Sequence, residues 1–336
     1  MIDYAVHGKI WPAMRLYVTG GRERKRLFKD EEEWKLYDTA LILQVNADGD
    51  TAEVCVDYVT PVDARAGSDA SVTFKAGAIE GNQFYTCTST EVLVYSLTDF
   101  RLENYISLPY FNDCHHVCPS SSGNLLVTST GLDLVVEIDS QGRLIHEWST
   151  SGTDPWQRFS RAVDYRKVLT TKPHKAHPNF AFCIDDDVWA TRMIQRDALC
   201  LTRSGLRIPV GLNGNHDGLV HGDHIYFTTV DATIVVVCRH TLKTVDIVDL
   251  NAIHQTSDVL GWCRGLLVVE DGLIWIGFTR VRKTKFWENV KWIKHGFQEL
   301  ERPTRIALYD IKARTCLKEI NLEPSQLNVL FGIYCA

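Results

Sequence analysis

Apolar residues in this chain come in short β-branched and aromatic runs, and almost nowhere at the spacing of a helix face. Between the runs lie polar turn signals: "NADGD", "EGN", "SSSGN", "DDD", "HGD" and "EDG". Gly, Asn and Asp let the backbone reverse tightly at such points, so the pattern predicts strands joined by hairpins. The strands group into units that recur at roughly 40–60 residues, a spacing that points to repeat architecture.

Five units line up. "SVTFKAGAIEGNQFYTCTSTEVLVYSLTDFRLENYISL" reads as four strands and three tight turns. The same plan recurs in "HHVCPSSSGNLLVTSTGLDLVVEIDSQGRLIHEWST", in "HPNFAFCIDDDVWATRMIQRDALCLTRSGLRIPVG" and in "HDGLVHGDHIYFTTVDATIVVVCRHTLKTVDIVDL". A longer unit opens with "RGLLVVEDGLIWIGFTR" and resumes with "TRIALYDIKARTCLKEINL". The N-terminal region supplies only "MRLYVTG", "TALILQV" and "AEVCVDYV", and the C-terminal "NVLFGIYCA" can serve as its missing innermost strand. Closing a ring in this way hides edges that an open array would present to other chains. The expected fold is therefore all-β: a six-bladed β-propeller spanning 1–336 as one domain, closed by the C-terminal strand joining three N-terminal strands.

These four-strand units resemble six-bladed propellers in the broad sense, a group that includes gluconolactonase and strictosidine-synthase relatives, NHL-type propellers and peptidyl-hydroxyglycine lyases. The resemblance covers nearly the whole chain and rests on the repeat plan, not on a motif. It implies the fold and leaves function open, because propellers host both enzymes and scaffolds.

Composition narrows the classes. The chain has 336 residues, is 45% hydrophobic and carries a formal net charge of −6, so no global basic field draws it to nucleic acid or to an acidic membrane. No apolar run is long enough to span a bilayer, and the start of the sequence lacks a signal-peptide apolar stretch; a cytoplasmic location is expected. Several of the ten cysteines fall inside expected strands, which reads as reduced, buried thiols rather than a disulfide framework.

Overlaying the units exposes candidate chemistry. His116, His177 and His216 each stand at the start of the innermost strand of their own unit, the third, fourth and fifth. Cys263 and Arg264 fill the equivalent place in the sixth. Innermost strands line a propeller's channel, so three imidazoles from consecutive blades would converge on one rim. Three histidines with an open coordination position suit a catalytic transition ion, with Fe, Cu and Zn all compatible. The peptidyl-hydroxyglycine lyases, as the resemblance implies, use a three-histidine zinc site drawn from separate blades. Carotenoid-cleaving propellers use four histidines on iron, and no clean fourth is found here. Two other roles stay open: a hydrogen-bonded polar plug, or direct acid–base work with Asp113 or Asp217 orienting a histidine. His115 neighbours His116, and strand alternation lets at most one face the channel. His174 and His254 are further possible ligands, with His254 also a possible base.

The second strand of each unit should end at the same rim, which places Thr130, Arg192, Thr229 and Arg280 there. With Arg264, the two arginines would form a cationic group for an anionic or carbonyl-bearing substrate; pairing with Asp133, Asp197 or Asp217 is the alternative. Tyr165 and Trp262 could stack on substrate. Three insertions, at about 20–38, 152–176 and 281–303, should crowd the same face as lids. The third carries Phe286, Trp287, Val290, Ile293 and Phe297 at near-helical spacing. The leading expectation is a metal-dependent oxidoreductase or lyase acting on a small-molecule or peptide substrate. The alternatives are a scaffold whose lid face holds a peptide or protein, and a metal-free enzyme.

Overall fold

The computed structural model describes residues 5–6, 9–10, 14–25, 33–211, 213–255, 259–281 and 302–336. Six four-stranded antiparallel sheets form the blades, each ordered from the channel outwards. Blade 1 runs Val329–Cys335, Arg15–Glu23, Tyr37–Asn46, Thr51–Tyr58, so the C-terminal strand is innermost and joins three N-terminal strands as expected. The innermost strands of blades 2 to 6 are Ala78–Glu80, Cys114–Pro119, Pro178–Ile184, Asn215–His221 and Trp262–Glu270. The protein is thus a six-bladed β-propeller of the broad kind.

The hydrophobic pattern explains the layering. Second strands are buried on both faces: all seven residues of Leu273–Thr279 are buried, and all five of Leu125–Ser129. Such strands need the continuous apolar runs seen in sequence. Outer strands such as Thr244–Asp249 are mostly exposed. One apolar cluster fills each gap between adjacent blades. Trp275 and Ile306 of blade 6, for instance, meet Leu16 and Leu41 of blade 1, so the closing gap is packed like the others. Phe182 and Trp189 meet Phe227 and Val235 between blades 4 and 5. Each fully buried side chain of this kind contributes about 1.5–3 kcal/mol. All ten cysteines are free thiols, and Cys87, Cys114, Cys200 and Cys263 are buried. No helix among the described residues is long and apolar enough to cross a membrane.

The innermost strands are not regular. The ladder to the second strand shifts register between Cys114 and His116, Pro178 and Ala181, Asn215 and Gly218, Cys263 and Leu266, and Leu330 and Gly332. A bulge leaves residues unpaired and re-aims their side chains. Five of six blades therefore break their ladder at the same height near the start of the inner strand. In blade 2 the equivalent stretch lies just upstream of Ala78–Glu80, where Ala76 bridges to His116 of blade 3.

Candidate active-site ring

Two cavities occupy the channel, one above the other. The upper, of about 200 Å3, is lined by Lys75, His115, His177, Asn179, His216, Arg264 and Phe331 among others. The lower, of about 490 Å3, takes over one residue later on every blade: Ala76, His116, Phe180, Asp217, Gly265 and Gly332. The bulges thus set one ring of residues, one or two per blade, at the floor of the upper cavity. Phe331 lines both cavities.

Three imidazoles meet in this ring. The ring of His115 lies 5.3 Å from that of His177 and 6.1 Å from that of His216, centroid to centroid. Each has its Nδ1 engaged. His115 Nδ1 donates to the Asp113 carbonyl at 2.7 Å. His216 Nδ1 lies 3.2 Å from an Asp217 carboxylate oxygen. His177 Nδ1 lies 2.7 Å from His174 Nδ1, and His174 Nε2 lies 3.3 Å from the Thr171 hydroxyl. That hydroxyl donates to the Gly131 carbonyl, so His174 Nε2 donates to it and His177 donates to His174. All three Nε2 atoms then carry a lone pair. His216 Nε2 is buried with no hydrogen-bond partner among the described residues.

Local sequence builds each placement. Asp133 accepts hydrogen bonds from the backbone N–H groups of Lys175, Ala176 and His177 at 2.8–2.9 Å, which fixes the loop ahead of blade 4 and holds His177 at φ 55°. Asp217 also accepts from Thr228 Oγ1 at 2.6 Å and from the Gly265 N–H at 2.9 Å, tying blade 5 to blade 6 beneath His216. Desolvation works against ionisation of Asp113, but the surrounding basic groups, of which Lys75 carries the charge near pH 7, overcome it and hold the carboxyl well below its usual range. Burial pushes the pKa of His115 well down and that of His177 to about 3, so both are neutral lone-pair donors near pH 7.

Opposite the histidines, Phe331 lies between two cations. Lys75 Nζ is 4.2 Å and Arg264 Cζ 4.1 Å from its ring centroid, the geometry of cation–π contacts. Trp262 lines the same cavity, as expected. Residues of the 152–176 insertion form part of the upper wall, and Lys172 from it lies 5.2 Å from the ring of Trp34, at the edge of the first insertion. Asn112 anchors that segment through the Tyr165 and Val168 carbonyls, while Tyr165 packs under the loop on Leu132 and Leu134 rather than facing the cavity. The possible helix with Phe286, Trp287, Val290, Ile293 and Phe297 lies outside the described residues.

Several expected site residues stand elsewhere. His116 is turned away from the ring: it stacks on Phe180 at 3.5 Å, its Nε2 lies 3.3 Å from the Gly77 carbonyl, and its Nδ1 accepts from the Ala181 N–H at 3.3 Å. The register shift between Cys114 and His116 suspends strand alternation, so both neighbours border the channel, His115 in the upper cavity and His116 in the lower. Arg192 forms a buried bidentate pair with Asp197 at 2.6–2.8 Å and donates to the Thr150 carbonyl, so it clamps blade 4 to blade 3. Arg280 pairs with Glu323 at 3.3 Å and Glu23 at 3.7 Å. Thr130 and Thr229 spend their hydroxyls on Pro178 O and Asp231. His254 ends a short helix on the outer side of blade 5 and shares a 2.7 Å hydrogen bond with the Tyr309 hydroxyl. With Cys316 and Glu319 it forms the one group among the described residues whose ligand atoms all lie within 4.8 Å of one another. Arg305 and Arg302 already neutralise Glu319, which disfavours a cation there. The ring histidines do not form such a tight group.

Lys75 and Phe331 were not anticipated. Both could have been found by aligning "FKAG" and "LFGI" with the inner-strand starts that carry the histidines.

No family model matches the chain, and no curated protein matches it. Solved structures share its fold. A protein of unknown function from Bacteroides caccae is 13% identical, with 96% of this chain and 98% of that one covered and a TM-score of 0.60. A streptogramin B lyase structure is 12% identical, with 94% and 91% covered and a TM-score of 0.50. Virginiamycin B lyase from Staphylococcus aureus is 14% identical over 70% and 69%, with a TM-score of 0.44.

Proposed function

We propose that the chain acts as one propeller domain whose upper ring is the centre of a metal-dependent enzyme of lyase or oxidoreductase type. The observation that carries this reading is the set of three imidazoles, His115, His177 and His216, whose Nδ1 atoms are all committed to acceptors. Metal-binding histidines are oriented in this way by a second partner, which fixes the tautomer and leaves Nε2 for the ion. The chemistry of the donor set suits a transition ion such as Fe, Cu or Zn, whose binding would draw the three imidazoles closer than they stand here, and His216 Nε2 is a buried polar atom without a partner among the described residues. When bound, the ion would supply Lewis acidity and an open coordination position.

The chain's own residues do the rest. Lys75 and Arg264 take an anionic or carbonyl group of a small or peptide-like substrate. Asp113 and Asp217 hold the histidine tautomers. Trp34 and Tyr37 with the 152–176 insertion wall the cavity and limit its access to water. Elimination is favoured over hydrolysis because no carboxylate pair among the described ring residues stands ready as a hydrolytic base; streptogramin B lyase, which shares the fold, is a lyase by name. Ten free thiols support a reducing, cytoplasmic setting. A net charge of −6 speaks against a nucleic-acid partner.

The His216–Asp217 pair supports a second, metal-free reading in which His216 Nε2 takes the proton. Elemental analysis of protein purified without affinity-tag metal separates the two. About one transition ion per chain, lost in each of His115→Ala, His177→Ala and His216→Ala but kept in His116→Ala, is expected. No ion in the wild type would overturn the metal reading.

A further inference from the structure

The lower cavity has no role in the site described so far, yet it is the larger of the two. At about 490 Å3 it falls within the roughly 300–1,000 Å3 typical of small-molecule sites, while the 200 Å3 above falls short. Its lining differs in kind. Ile79, Phe180, Phe182, Leu219, Leu266 and Ile333 give it an apolar wall. The upper cavity instead presents Lys75, Arg264, three imidazoles and one carboxylate, Asp113, which stands 4.0 Å from Lys75 Nζ; two cations against that one anion leave this set one net positive charge. Phe331 is the partition: it is 3% exposed, it sits at the bulge of the closing strand, and it borders both spaces. The two cations stand at this partition, each about 4 Å from its ring.

We infer that the two cavities hold one amphiphilic anion. Its carboxylate sits in the upper ring against Lys75 and Arg264, and its apolar chain passes Phe331 into the lower chamber. Charge complementarity above and the single side chain, Phe331, that separates the two spaces both favour this occupant over two separate ligands, with Phe331 turning aside to admit the chain. The inference rests on the upper ring being a ligand site and deepens that reading by naming the ligand class; it does not depend on which ion the histidines hold.

Isothermal titration of the protein as purified with butyrate and with dodecanoate tests it. Dodecanoate adds eight methylenes. Burying three of them at about 0.8 kcal/mol each corresponds to roughly a fifty-fold gain, so at least that ratio of dissociation constants is expected. Leu219→Trp, which fills the lower chamber, should bring dodecanoate to the level of butyrate and leave butyrate unchanged. Cys183→Trp, placed on another blade, should do the same and guards against a misfolded variant. Arg264→Ala should weaken both acids. A chain-length effect below threefold, or an equal loss of both acids in both filling variants, would overturn the amphiphile. Absence of binding by either acid would overturn it too. Metal content, measured on the same samples, reports on the histidine site independently of all these outcomes.

Discussion

Replacing His116 by alanine gives the sharpest separation of ring from scaffold. The imidazole is 1% exposed and bridges two backbones that belong to other blades. Its Nδ1 accepts from Ala181 N–H, so Nε2 carries the proton and donates to Gly77 O, both at 3.3 Å. Truncation leaves one buried donor and one buried acceptor unmatched, at about 1–3 kcal/mol each. The long distances, and water that can reach the site from the lower cavity, put both near the low end. Loss of the stacked contact with Phe180 adds about 1 kcal/mol. The expected cost is about 3 kcal/mol, a large share of the roughly 5–15 kcal/mol that holds a typical fold. Urea denaturation at pH 7.5, followed by tryptophan fluorescence, measures it. Acid adds a second signature. Burial lowers the His116 pKa to about 3, below an unfolded value of about 6.5. Its contribution is thus complete above pH 6.5 and is lost as pH falls toward 3, at about 1.4 kcal/mol per unit. The gap between wild type and His116→Ala should shrink by about 2 kcal/mol between pH 7.5 and pH 5. A destabilisation under about 1 kcal/mol, or a gap that ignores pH, would refute this placement and return His116 to the ring.

Two further perturbations probe the supports. Asp133→Ala removes the acceptor for three backbone N–H groups ahead of His177; a loss of about 2–4 kcal/mol is expected, together with the metal or ligand signal of His177→Ala, read by urea titration and elemental analysis. Arg192→Ala strands the buried carboxylate of Asp197 and should cost about 3–5 kcal/mol, with butyrate binding unchanged in whatever fraction stays folded; weakened binding at full stability would put Arg192 back among substrate contacts.

The architecture could be read from sequence because each blade repeats its own turn chemistry, and because second strands buried on both faces need apolar runs such as "LIWIGF". His177, His216 and Arg264 were legible for the same reason: they stand where a repeated unit starts. The choice between His115 and His116 was not. Alternation holds only along a regular ladder, and the ladder breaks between Cys114 and His116. Arg192 follows the alternative that the sequence also offered, pairing with Asp197, which lies directly across from it in the next strand of its own blade. Lys75 and Phe331 carry no imidazole to mark their slots; the cation and the aromatic ring that complete the circle sit at the equivalent places of blades 2 and 1.

The seam that closes the circle sets when the site can exist. Thr19 and Tyr334, whose hydroxyls lie 3.5 Å apart across it, are separated by 315 positions in sequence. Contacts this remote form late and slowly. A nascent chain emerging from the ribosome can stack five blades while Arg15–Glu23 waits with a bare flank, open to capture by another molecule's tail. Because Phe331 arrives on the ring-closing strand, binding competence should appear only after synthesis has passed it, and crowded refolding should yield strand-exchanged species in competition with the self-closed propeller.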